Sequence, residues 1–229
     1  MNKSKIALYL FAVIALLHLS SIALSLDMLD VYTKPFLMTT LLIYFLVNVR
    51  KNGHPAYLLI IGALIFSWVG DVLLIFQIKH PNFFLLGLGA FLCSHVLYIT
   101  SNRRLRNKAG SDELSKPRLA RYDFFLVMIC FALLLVLIPR IDNIMLFPIL
   151  VYAVTITYMA ITAMHRYGTT TTSSFWLVMV GALLFMFSDS TLAFNKFVTL
   201  IPNARLIIMT TYIVAQYFII EGFIKHAKG

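Results

Sequence analysis

The sequence predicts an all-α, polytopic integral membrane protein with eight transmembrane helices, arranged as two four-helix halves in a weak parallel repeat. Three observations carry that prediction. Hydrophobic residues make up 61% of the 229 residues and charged residues only 12%, with a mean hydropathy of +0.89, whereas a soluble globular chain is nearer half apolar and a quarter charged. Eight apolar segments are long enough to cross the roughly 30 Å hydrocarbon layer of a bilayer. The basic residues collect in the breaks between those segments, as they do in inserted proteins. A net charge of +10 would suggest nucleic acid in a soluble chain. Here it falls on loops, so the expected partners are membrane lipids with anionic headgroups and no nucleic acid.

The elements follow in order. Segment 5–26 comes after Lys3 and Lys5 and has the look of a signal peptide. Its apolar run is about 20 residues, enough to span, and it is expected to remain as a first helix. Segment 34–49 opens at Lys34-Pro35 and ends in Arg50-Lys51-Asn52-Gly53-His54-Pro55; segment 55–76 follows, and His80-Pro81-Asn82 leads into 82–101. The second half runs 122–139, 144–165, 174–195 and, beyond Ile201-Pro202-Asn203, 204–225. None alternates polar and apolar residues as a barrel strand does, and lipid admits only helices and closed barrels. Residues 1–229 thus read as a single membrane domain, with halves 1–101 and 122–229 joined by the basic loop 102–121.

Eight spans place both termini on one side. That side takes fourteen Lys and Arg, namely Lys3, Lys5, Arg50, Lys51, seven in the 102–121 loop, Arg166, Lys225 and Lys228. The other takes five: Lys34, Lys79, Arg140, Lys196 and Arg205. The positive-inside rule puts both termini in the cytoplasm, in the inner membrane if the source is bacterial. The halves match in outline: Pro35 and Pro148 lie near the outer ends of helices 2 and 6, and helices 3 and 7 each carry Gly-Ala-Leu followed by an aspartate, with a Gly-to-Asp spacing that differs by one residue. An even number of helices per half makes the repeat parallel, so helices 3 and 7 run the same way and their aspartates are expected at similar depth.

Those aspartates are Asp71, in GALIFSWVGDVLLIF (62–76), and Asp189, in GALLFMFSDSTLAFNKF (181–197). Each follows a small residue and precedes a leucine by three positions. A carboxylate in an apolar helix costs a few kcal/mol and marks a functional site by default. The competing reading is an aspartate satisfied by interhelical hydrogen bonds. Other polar residues are expected around them. Lys34 and Lys196 either snorkel to the interface or bind a ligand, and Tyr152 and Tyr212 lie about 12 Å into their helices. Gln216 is one turn beyond Tyr212 on the same face, and His95 and Tyr98 share a face of helix 4. For the tyrosines and His95, ordinary packing or hydrogen bonding is the competing reading. Cys93 and Cys130 lie in apolar runs and are expected to pack. The six histidines are scattered without ligand spacing, so no metal is expected, and neither a phosphate loop nor a G-x-S-x-G elbow occurs.

These residues resemble those of the YhhN-type membrane proteins, the lysoplasmalogenase family. The resemblance rests on GD-x-x-L at Gly70–Leu74, SD-x-x-LA at Ser188–Ala193 and Asn195-Lys196-Phe197. It extends to Lys34-Pro35, to Gly87, Phe91, His95 and Tyr98 in helix 4, to Tyr152-Ala153 with Met159, and to Tyr212 with Ala215-Gln216. It implies hydrolysis of the vinyl ether bond of a lysoplasmalogen, a lysophospholipid, to a fatty aldehyde and glycerophosphoethanolamine or glycerophosphocholine, with no cofactor. Vinyl ether chemistry then assigns Asp71 and Asp189 as catalytic, one donating a proton and the other stabilising an oxocarbenium ion and orienting water, as paired carboxyls do in glycosidases. Lys34 and Lys196 would bind the phosphate. His95, Tyr98, Tyr152, Asn195, Tyr212 and Gln216 would complete the substrate site. Three other classes remain open: a transporter whose aspartates couple to cations or protons; an intramembrane aspartyl protease, for which Trp68-Val69-Gly70-Asp71 lacks the first glycine of GxGD; and a structural or lipid-binding role with no chemistry.

Overall fold

The computed structural model describes residues 3–49, 56–80, 82–105 and 116–228. Their regular structure is helical: α1 (Lys3–Ala23), α2 (Asp27–Asn48), α3 (Tyr57–Ile75), α4 (Asn82–Leu105), α5 (Lys116–Leu137), α6 (Asn143–Met164), α7 (Thr172–Phe197) and α8 (Ala204–Lys228), with single 3-10 turns after α3 and α5. All eight are long and apolar enough to cross a membrane, and the protein is a multi-pass integral membrane protein. Two compact units, residues 1–97 and 98–229, divide the chain within α4.

In the first unit α1 packs along α2, and α2 along α3. Ser25, at φ 55°, takes the left-handed conformation that ends α1, and Leu26 N donates to Ser21 O across it (2.8 Å), the six-residue closure of a Schellman turn. The chain therefore re-enters the membrane at Asp27, seven residues before the start expected at Lys34. Pro35 is interior to α2 rather than opening it, which a membrane helix tolerates because neighbouring groups re-satisfy the freed backbone. The acids Asp27 and Asp30 gave this stretch a loop-like composition. Asp30, however, is buried, with its Oδ1 3.3 Å from Nδ1 of the fully buried His18 on α1. Between α3 and α4, Ser67 and Ser94 share a hydrogen bond of 2.8 Å. A Cβ on Gly70 would meet the Phe91 ring at 2.6 Å, so glycine lets the helices approach.

In the second unit α5, α6, α7 and α8 pack in succession, α7 against α8 most extensively. Lipid offers no hydrophobic drive for helix association, so close approach through small residues takes its place. A Cβ on Gly181 would lie 2.9 Å from Ala215 O, and one on Gly222 would lie 3.0 Å from Ser174 O. Two α7 serines reinforce this contact: Ser174 Oγ donates to Gly222 O (2.7 Å) and Ser188 Oγ to Ile208 O (2.9 Å).

The expected 102–121 loop is shorter at both ends, because 102–105 belong to α4 and 116–121 to α5, while 106–115 lie outside the described residues. Hydropathy ends a span where charges begin, yet the helix continues: Leu105 is buried while Arg103 and Arg104 face outward. Cys93, expected to pack, is exposed, and Cys130 is half-buried with its Sγ 3.7 Å from Ala153 O. Helix periodicity turns Cys93 away from its buried neighbour Ser94.

Candidate functional site

In the first unit, Asp71 projects from α3 one turn beyond Ser67 and is 2% exposed. Lys34, two turns into α2, brings its Nζ to 4.0 Å from Asp71 Oδ1. One turn earlier on α2, Asp30 meets His18, and Thr33 Oγ1 lies 2.9 Å from the same His18 Nδ1. A line of buried and half-buried charged and polar groups thus runs along α2 from Asp30 to Lys34 and on to Asp71. His95, beside Ser94 on α4, is fully buried. The small residue before Asp71 now has a reason. Gly70 seats α3 against Phe91, and the aspartate, a step of about 100° round the helix, faces Lys34.

In the second unit, Asp189 is half-buried on α7 and its Oδ2 accepts a short hydrogen bond from the Tyr152 hydroxyl of α6. Ser188 plays the part of Gly70: it holds α7 to α8 through Ile208 O and leaves Asp189 directed at α6. A neutral chain lies one turn away. Tyr98 Oη donates to Gln216 Oε1 (2.7 Å), Gln216 Nε2 lies 3.4 Å from Tyr212 Oη, and the Tyr212 ring meets Phe185 edge-on at 5.3 Å. Phe185 is four residues before Asp189, on the same face of α7.

The predicted residues therefore form three groupings: Lys34 with Asp71, Tyr152 with Asp189, and Tyr98 with Gln216 and Tyr212. Asn195 lies outside these groupings. Its Oδ1 accepts the Ile201 N–H at 2.8 Å and so shapes the α7–α8 link. Lys196 is exposed, with its Nζ 6.0 Å from the Phe197 ring centre. Among the described residues, no group of three or more His, Cys, Asp or Glu is placed to hold a metal.

Sequence reasoning missed two features. His18 and Asp30 went unremarked because residues 27–33 read as a loop. Arg166, counted only for topology, is fully buried just beyond α6. Its Nη2 donates to Ser174 Oγ (2.6 Å) and its Nη1 to Asn102 Oδ1 (3.4 Å), and the guanidinium covers the Phe223 ring at 5.1 Å. Burial brings its pKa down to about 9. A basic residue inside a short turn was the available signal.

The YhhN family profile matches residues 29–223, taking in every predicted site residue from Lys34 to Gln216. The chain belongs to the YhhN family. Among the relatives of this YhhN protein are lysoplasmalogenase TMEM86B of Sus scrofa, 36% identical over 159 residues, covering 69% of this chain and 60% of that protein; lysoplasmalogenase TMEM86B of Mus musculus, 32% identical over 185 residues, covering 81% and 71%; and lysoplasmalogenase TMEM86A of Homo sapiens, 32% identical over 170 residues, covering 73% and 65%. The YhhN chain thus spans between about three fifths and seven tenths of the length of these relatives. No solved structure matches it.

Proposed function

We propose that this YhhN-family chain is an integral membrane hydrolase that cleaves the vinyl ether bond of lysoplasmalogen. The products are a fatty aldehyde and glycerophosphoethanolamine or glycerophosphocholine. One observation carries the reading: relatives named lysoplasmalogenases are 32–36% identical over most of the chain, and the family match over residues 29–223 takes in both aspartates. The local geometry supports it, since each aspartate has a proton-bearing side chain beside it, Lys34 for Asp71 and Tyr152 for Asp189.

In this reading one carboxyl protonates the alkenyl carbon β to the ether oxygen, leaving an oxocarbenium ion. The other carboxylate stabilises that cation and takes a proton from water as it adds to the α carbon. The hemiacetal then breaks its bond to the glycerol oxygen, which is protonated as the aldehyde leaves. One water is consumed and the aspartates return to their starting states, the division of labour of a two-carboxyl glycosidase. Tyr152 orients Asp189, while Tyr98, Tyr212, Gln216 and His95 contact the glycerol and upper chain. Lys34 and Lys196 attract the phosphate. Both termini lie in the cytoplasm by the balance of basic residues; in a bacterial cell the membrane would be the inner one.

The test is incubation of purified protein in detergent with lysoplasmalogen and, separately, with an ester lysophospholipid of equal chain length. Aldehyde released from the first and no fatty acid from the second is the expected result. Ester cleavage alone would overturn the proposal.

A further inference from the structure

A groove of about 660 Å³ opens on the second unit between α5, the end of α6 and α7, and Asp189 is not among its lining residues. Its volume is that of a site for one small ligand. Polarity changes along it in one direction. Arg118 and Arg121, three apart and on one face of α5, stand at the mouth. Both are exposed, and neither has an ion-pair partner among the described residues. The neighbouring acid on α5, Asp123, is held 2.9 Å from His165. Next come Tyr167 and Trp176, 40% and 55% exposed, amphipathic rings of the kind that mark the bilayer interface. Beyond them Met179 and Leu183 continue on the face of α7 that carries Trp176, so the apolar wall extends about 10 Å past the aromatic level.

Cations, then aromatic rings, then an aliphatic wall is the order in which a phospholipid presents phosphate, glycerol and chain. Two guanidinium groups match a phosphate by paired N–H donation. With two such charges at the mouth, a headgroup of net negative charge is favoured over a zwitterionic one, whose own ammonium would be repelled. Trp176 precedes Asp189 by thirteen residues on α7, a separation of about 20 Å along the helix, so a phosphate at the mouth keeps its glycerol region well away from Asp189. We propose that this groove is a binding site for an anionic phospholipid of the surrounding leaflet, separate from the site of hydrolysis.

Thermal unfolding and native mass spectrometry of the detergent-purified full chain, titrated with phosphatidylglycerol, phosphatidylcholine or lysophosphatidylcholine, test this. Phosphatidylglycerol is expected to raise the unfolding midpoint and persist as a one-lipid adduct, at a concentration tenfold or more below that at which either choline lipid acts. Arg118→Gln with Arg121→Gln should abolish the preference. Arg103→Gln with Arg104→Gln removes the same charge from exposed positions on α4 and should preserve it. Leu183→Trp fills the groove with every charge in place and should also weaken binding at least tenfold, a readout that stands even if the α5 variant fails to fold. Equal stabilisation by phosphatidylcholine, equal loss in the α4 variant, or full binding by Leu183→Trp would each overturn the proposal.

Discussion

Replacing Tyr152 with phenylalanine removes one hydroxyl and leaves the ring of a buried side chain in place. The lost group is the one that donates to Asp189 Oδ2. A hydrogen bond to a charged acceptor contributes about 1.5–3 kcal/mol, which corresponds to roughly 10- to 150-fold in rate if it acts in the transition state. No cavity accompanies the change, so the large-to-small penalty of a core truncation does not arise. Tyr158, one and a half turns further along α6 and 41% exposed, provides the matched control, and Tyr158→Phe is expected to alter the rate by less than about twofold. The assay is kcat/KM for aldehyde release from detergent-dispersed lysoplasmalogen, with unfolding midpoints measured on the same samples. Tyr152→Phe within twofold of the parent, or an equal loss in Tyr158→Phe, would refute the idea that Tyr152 orients a reacting carboxylate.

Other outcomes follow from the packing. Gly222→Ala forces a Cβ to 2.5 Å from Val178 Cγ2 and 3.0 Å from Ser174 O; overpacking of this kind costs about 1–3 kcal/mol, a fall of roughly 3–10 °C in unfolding midpoint. Gly89→Ala, with nothing within 4 Å of the new Cβ, should be neutral or stabilise by up to about 1 kcal/mol through helix propensity. Asp30→Asn weakens a buried pairing with His18 and should cost about 1–3 kcal/mol, the penalty for a disturbed buried hydrogen bond, whereas Asp27→Asn at the exposed start of α2 should cost no more than about 1 kcal/mol, the value of an acid at a helix N-terminus. The same thermal scans check all four.

What the sequence disclosed depended on contrast. Asp71 and Asp189 stood out because a carboxylate in a long apolar run has no low-energy explanation without partners, and Tyr152 because counting residues along α6 put its polar group about 12 Å into an apolar helix. Lys34 was singled out for its charge, but its place was misjudged: the acids Asp27 and Asp30 lowered the hydropathy of the first turns of α2, so a helix start seven residues too late was expected. That displacement also concealed the His18–Asp30 pair, whose burial depends on α1 and α2 meeting. The Ser67–Ser94 bond and the work of Ser188 were illegible for another reason, since a serine in a membrane helix satisfies its own backbone as readily as a neighbour's. Arg166 was hidden by the rule that explained it, because a cation at the basic side needs no further account until it proves to be fully buried. Asn195 has the motif position of a ligand-binding residue, and its contact with the Ile201 N–H was illegible because it depends on how the α7–α8 link folds back.

Vinyl ether hydrolysis is proposed to rest on Asp71 and Asp189. The direct measurement is aldehyde release from lysoplasmalogen by purified Asp71→Asn and Asp189→Asn proteins, each first shown to insert and unfold like the parent. Loss of a positioned acid or base lowers turnover by about 10²- to 10⁴-fold, and that fall is expected in both variants. A folded Asn variant of either residue that releases aldehyde within tenfold of the parent rate would contradict the account.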